Sequence, residues 1–239
     1  MASGSKPSRR MSADERKADI LRAAAPIIAQ GGLHGVSIRD IADAAGVSEA
    51  LLYKHFPSKQ ALYDEALKTA REFSSFTIAR FATLEPGTKS FVLLTYATIE
   101  FTLFGFPGRQ DHEQGAARLV LQSLLADGEH ARTILTDTAA SWMDYVTASY
   151  LAAAAAGDIA PLDVEPAVRF RFVQQLGMAL RLSHLPERPA FAYRGTPREL
   201  ADQAVLFSLR AVGLTDEAIA RHYDPAALHE QLAALFPRV

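Results

Sequence analysis

Between Ser37 and Lys59 the chain gathers side chains suited to contact with nucleic acid: Arg39, Ser48, Glu49, Ala50, Tyr53, Lys54, His55 and Lys59. Phenol, imidazole and ammonium groups donate to phosphate oxygens, and a guanidinium reaches a phosphate or a guanine edge. A carboxylate is repelled by phosphate and is useful only where it accepts from a cytosine amino group, while an alanine methyl packs on thymine. A solvated arginine paired with Asp43 is the plain alternative for Arg39, and a helix start favoured by the dipole is the alternative for Glu49.

The residues between these groups supply the elements that would hold them. Ile38, Ile41, Ala42 and Ala45 recur at i, i+3, i+4 and i+7, one face of a helix that Ser37 can cap. Gly46 gives the backbone freedom for a sharp turn, and Ser48 can cap a second helix. On that second helix Val47, Leu52 and Phe56 point inward, while Glu49, Ala50, Tyr53 and Lys54 point outward. Helix, tight turn and exposed helix make a helix-turn-helix.

The string Arg16, Ile20-Leu21, Ala23-Ala24, Gly32, Ser37, Ile41-Ala42, Ala45-Gly46-Val47-Ser48, Leu52-Tyr53, His55-Phe56, Ser58-Lys59 and Leu62 resembles the DNA-binding region of the tetracycline-repressor (TetR) family of transcriptional regulators. The motif covers about the first quarter of the chain; beyond it the likeness is one of helical layout. The resemblance implies that Tyr53, His55 and Lys59 touch the DNA backbone or adjacent bases, and that Glu49 and Ala50 sit where bases are read. Leu51 departs from the small or polar residue common in the family, and Pro26, deep in the first helix, is a second departure that predicts a kink.

Composition agrees with a globular protein. The 239 residues are 49% hydrophobic and 22% charged, with a formal net charge of −2. That charge is unevenly divided: residues 1–63 hold nine Lys/Arg against six Asp/Glu, and the rest sixteen against twenty-one. Lys6, Arg9 and Arg10 lie in a flexible basic arm over residues 1–11, suited to a minor groove or phosphate backbone or simply solvated. The absence of cysteine excludes disulfides, thiol nucleophiles and cysteine-based zinc sites. With no signal-peptide pattern and no apolar run long enough for a bilayer, the expected setting is cytoplasmic, with no membrane partner.

The fold expected is all-α. A first helix starts at a Ser12/Glu15 capping box and ends near Gly31-Gly32, completing a helix-turn-helix region over residues 12–57. The resemblance implies that residues 58–239 form a helical effector-binding and dimerisation region. Its helices are expected at about Ser58–Phe81, Lys89–Phe104, Gln110–Ala126, Glu129–Ala156, Glu165–His184, Pro197–Val212, Thr215–His222 and Pro225–Leu235. Thr196-Pro197-Arg198-Glu199 is a clear helix start.

Val168, Phe172, Leu176, Ala179 and Leu180 form one apolar stripe, and Leu200, Ala204, Phe207 and Val212 another. Such stripes face either the chain's own core or a twin subunit; the resemblance implies a homodimer, which also suits DNA half-sites one turn (~34 Å) apart.

The resemblance further implies a small-molecule effector, with Phe73, Phe76, Tyr96, Phe101, Phe104, Trp142, Tyr145, Met178, Arg181 and His184 as candidate lining. Among these, Trp142, Tyr145, Arg181 and His184 each bring a polar group, and together they suit an apolar or aromatic effector with an anionic or hydrogen-bonding end. No cofactor is called for, and Asp111-His112-Glu113 splay too widely around a helix for a metal site.

Effector binding would shift the two DNA-reading heads out of register and release operator DNA, the Ser58–Phe81 helix transmitting the change. Activation and corepression use the same parts with the sign reversed. A helical adaptor or an all-α enzyme belongs to a different class, and the chain carries no nucleophile elbow, zincin motif or phosphate loop.

Overall fold

A computed structural model describes residues 12–105, 120–121, 123–125, 128–132, 138–184, 186, 188–189 and 191–236. Among them no strand occurs; the one extended pairing is a single antiparallel bridge between Ile159 and Leu214. The named helices are α1 (Ala13–Gly35), α2 (Ile38–Ala44), α3 (Glu49–His55), α4 (Lys59–Phe81), α5 (Thr88–Phe104), α6 (Glu129–Arg132), α7 (Thr138–Ala155), α8 (Pro166–Ser183), α9 (Pro197–Ala211), α10 (Asp216–His222) and α11 (Pro225–Leu235).

Most helix starts are set by side chains that take up otherwise unpartnered amide groups. Ser12 Oγ accepts from Glu15 N at 3.1 Å while the Glu15 carboxylate accepts from Ser12 N at 2.7 Å. The same reciprocal box joins Ser37 to Asp40 and Thr196 to Glu199. Ser58 caps α4 through Ala61 N at 3.0 Å, and Asp224 caps α11 ahead of Pro225.

Two apolar clusters result. The first joins Ile20 and Ala24 of α1, Ile41 and Ala42 of α2, Leu52 of α3, Phe56 directly after α3, and Leu62 of α4, all buried. The second surrounds α5, in which every residue from Phe91 to Phe101 is buried, and which packs against α7, α8, α9, α10 and α11. Thr95, Thr98 and Thr102 fit this apolar setting because each hydroxyl donates to the carbonyl four residues back.

A buried arginine knits the second cluster. Arg169 donates to the carbonyls of Leu162, Val164 and Val212 at 2.5, 2.6 and 3.2 Å, and to the Tyr150 hydroxyl at 3.1 Å. It thereby fastens the α7–α8 connection to the end of α9.

One expectation needs correction. The first helix does not stop at Gly31-Gly32 but continues through position 26 to Gly35, where Val36 turns extended; packing of α1 on α2 and α4 outweighs the low helix propensity of glycine. Within the expected span Glu129–Ala156, α6 covers Glu129–Arg132 and α7 covers Thr138–Ala155, while 133–137 lie outside the described residues. The two apolar stripes are broader than the strip α5 covers. Leu180, Ala204 and Val212 face the interior, whereas Phe172 and Phe207 stand 62% and 64% exposed.

Candidate nucleic-acid interface

The turn between α2 and α3 is built on Gly46, whose φ of 62° lies in the left-handed region. Its N–H donates to the Asp43 carbonyl at 3.1 Å, and Val47 N donates to the Ala42 carbonyl at 3.0 Å, closing off α2. Ser48 Oγ accepts from Leu51 N at 3.2 Å and starts α3. Ser37 holds the Asp40 carboxyl below its ordinary value by hydrogen bonding, so the acid stays ionised beside the start of α2.

With Leu52 and Phe56 sunk in the interior, the opposite side of α3 is displayed. Glu49, Ala50 and Lys54 are exposed, Tyr53 is 48% exposed, and His55 is half-buried near the end of the helix. Lys59, half-buried, opens α4. Arg39 projects from α2 with its side chain 79% exposed and its Nε 3.9 Å from Asp43, a solvated pairing too weak to hold the guanidinium back. The fold thus brings Ser48, Glu49, Ala50, Tyr53, Lys54 and His55 onto one short helix, flanked by Arg39 and Lys59. Lys17 of α1 buttresses this unit, 3.1 Å from Glu65 of α4 and 5.7 Å above the Phe56 ring.

The effector candidates are not gathered in the same way. Trp142 meets Phe81 edge-on at 4.9 Å, and Phe101 lies inside the second cluster. The Tyr145 hydroxyl donates to the Leu84 carbonyl at 2.5 Å, its ionisation pushed up by burial. Arg181 donates to the Thr102 and Leu103 carbonyls at 3.3 and 2.8 Å, satisfying the end of α5. His184 Nδ1 lies 2.8 Å from the Leu180 carbonyl, and its ring stacks on Tyr193 at 6.1 Å. Met178 is half-buried on α8, and Phe104 lies 4.4 Å beneath the Arg198 guanidinium. The side chains of Phe73 and Phe76, together with Lys6, Arg9, Arg10 and Asp111-His112-Glu113, lie outside the described residues.

A polar cluster escaped the sequence reading. Arg198 grips Glu100 and touches the Tyr96 hydroxyl at 3.3 Å; His229 Nδ1 lies 3.5 Å from that hydroxyl and 3.8 Å from Glu100. Burial pushes Tyr96 up to about 12 and raises Asp202 as well. The signal available was Glu100 itself, a carboxylate in an otherwise uncharged run of α5. Open clefts of about 530 and 450 Å³ lie beside the α4–α5 turn, and Lys89, His222 and Gln231 line both.

The sequence model for bacterial regulatory proteins of the tetR family matches residues 20–66, the first cluster and the start of α4. The repressor KstR2 of Rhodococcus jostii (strain RHA1) is 45% identical over 53 residues, 22% of this chain and 26% of that protein. The chain thus spans about a quarter of that relative's length. The regulator RutR of Escherichia coli (strain K12) is 32% identical over 158 residues, 66% of this chain and 70% of RutR. Two solved structures share the fold. The ketosteroid transcriptional regulator KstR2 of Mycobacterium tuberculosis aligns with a TM-score of 0.62 at 19% identity, covering 84% of this chain and 96% of that one. AibR, solved with isovaleryl coenzyme A and operator DNA, aligns at 0.59 and 20% identity, covering 80% and 97%. Because the likeness to RutR continues well past the helix-turn-helix at this identity, the chain belongs to the tetR family of bacterial regulatory proteins.

Proposed function

We propose that the protein is a ligand-responsive, sequence-specific DNA-binding repressor, acting in the cytoplasm as a homodimer. The observation that carries this is the outward face of α3, where Glu49, Ala50, Tyr53 and Lys54 are displayed on a helix fixed by Leu52 and Phe56. Residues 12–57 read DNA in a major groove; residues 58–239 dimerise and bind the effector. Tyr53, Lys54, His55, Lys59, Arg39 and Ser48 bear on the backbone, and Glu49 and Ala50 on bases. Exposed Phe172 and Phe207 on adjacent helices suit a twin subunit. Repression is supported by the name of KstR2, and an effector by the AibR complex. Phe101, Phe104, Trp142, Tyr145, Met178, Arg181 and His184 remain the residues offered to the ligand.

The test is selection of bound fragments from genomic DNA by the purified protein, followed by titration of the selected duplex across salt concentrations. The reading requires a discrete operator and a steep salt dependence; retention no better than for random competitor defeats it.

A further inference from the structure

α3 is seven residues long, too short to stand by itself, and its hold on the head rests on two buried side chains, Leu52 within it and Phe56 directly after it. Leu52 fixes the middle of the helix, so the set of its last turn depends on how Phe56 is seated. That last turn carries Tyr53, Lys54 and His55.

Lys17 of α1 bears on this seat. Its Nζ stands 5.7 Å from the centroid of the Phe56 ring and 3.1 Å from Glu65 Oε1 in α4. Glu65 also has Lys68 at 4.0 Å, but that pair lies within α4, whereas the pair with Lys17 bridges two helices. One ammonium thus joins α1, the residue that ends α3 and the second turn of α4. Phe56 is 1% exposed and the Lys17 side chain 35%, which places this charge at the edge of the first cluster.

We infer that Lys17 and Glu65 are positioning residues for DNA binding: Lys17 acts on DNA only through Phe56, which it holds against α4 so that Tyr53, Lys54 and His55 stand at the right distance from the duplex. Neither contact adds much to folding, since a partly exposed ion pair and a single cation over a ring are each weak. Geometry is more demanding, because side chains that must meet phosphate oxygens serve only when held to within about half an ångström. The sign of the effect separates this role from simple charge. An acid near a polyanion weakens binding, so on electrostatics alone the removal of Glu65 would tighten the complex; as a positioning residue its removal loosens it. The link between the helices stands by itself, and its consequence for DNA rests on the repressor reading above.

In the full-length protein, Lys17→Met, Glu65→Gln and the double variant are compared with the parent on the selected operator, at a temperature where all show the same far-ultraviolet helicity. Each single variant should bind at least about tenfold more weakly, the two heads of a dimer each losing about threefold. The double variant should lose no more than either single one, and Lys17→Arg should stay within about twofold of the parent. A merely structural role leaves the affinity of the folded variants unchanged, and a direct phosphate contact by Lys17 leaves Glu65→Gln at or above the parental affinity; either result overturns the proposal. Amide resonances give a reading that needs no DNA. Glu65→Gln, a change in α4, should move the signals of Tyr53, Lys54, His55 and Phe56, and movement confined to α1 and α4 overturns the link whether or not an operator exists. If the α3 signals move and no operator is found, the repressor reading fails, the consequence for DNA falls with it, and the link stands.

Discussion

Arg198, in the first turn of α9, donates to both carboxylate oxygens of Glu100 in α5, at 2.6 and 2.8 Å, across 98 positions of sequence. Glu100 is 8% exposed, so the guanidinium is what makes a carboxylate tolerable in α5. Hydrogen bonding to Glu100 likewise raises the ionisation of Arg198 beyond its ordinary value. Arg198→Met should therefore destabilise by about 2–3 kcal/mol, the lower end for a broken buried pair because the arginine side chain is 42% exposed. Urea unfolding checks this, and adding Glu100→Gln should recover most of the loss. A single variant within about 0.5 kcal/mol of the parent contradicts the assignment.

On DNA, Lys59→Met and Tyr53→Phe should weaken binding across all duplexes, Lys59→Met reducing the salt slope by about one. Glu49→Ala should leave that slope alone and relax preference at one base pair, by about 1–3 kcal/mol. Competition titrations separate the two behaviours, and a uniform response in all three variants counts against the roles given.

Glutamate at the two exposed phenylalanines probes self-association. Phe172→Glu or Phe207→Glu should raise the dimer dissociation constant about 100-fold or more, read by sedimentation, while far-ultraviolet helicity is unchanged. Unaltered dimers would move the interface elsewhere.

Acid stability should follow Asp158. Its Oδ2 accepts from the Thr88 hydroxyl at 2.6 Å and Arg221 pairs with the other oxygen, and the Thr88 bond, first among several causes, lowers its ionisation below 3.8. A lowered folded value means that the stabilisation is complete above about 3.8 and disappears as pH falls through the folded value. Asp158→Asn should cost stability at pH ~7, and the gap to the parent should narrow below pH ~4. A gap constant over that range refutes the linkage.

Two glycines with left-handed backbones should differ. A Cβ on Gly46 meets nothing within 4 Å, so Gly46→Ala costs only its backbone strain, about 1–2 kcal/mol. At Gly213, with φ 97°, a Cβ would lie 2.9 Å from Arg169 Nη1 and 3.3 Å from the Ala160 carbonyl. Gly213→Ala should cost about 3 kcal/mol or more in chemical unfolding.

The parts of this fold legible in the sequence are those decided within one or two turns of chain. Ser12 with Glu15, and Thr196 with Pro197 and Glu199, announce α1 and α9 because a cap and its partners lie three residues apart. Gly46 announces the turn for the same reason. The outward placement of Glu49, Ala50, Tyr53 and Lys54 follows from Leu52 and Phe56 being the apolar side of so short a helix. Partners far apart in sequence were not legible: Arg198 with Glu100, Arg169 with three carbonyls, Lys17 with Glu65. Nor was the split of the α8 and α9 stripes, since periodicity gives the width of an apolar band but not what covers each edge.

Arg169 satisfies its guanidinium with main-chain oxygens and one phenol. Every amino acid offers the same carbonyl, so substitution at 162, 164 or 212 leaves its acceptors in place, and none of them gains a proton in mild acid. The exposed side chains of the loop before α8, Leu162 and Val164 among them, can therefore change while the backbone that Arg169 holds stays where it is.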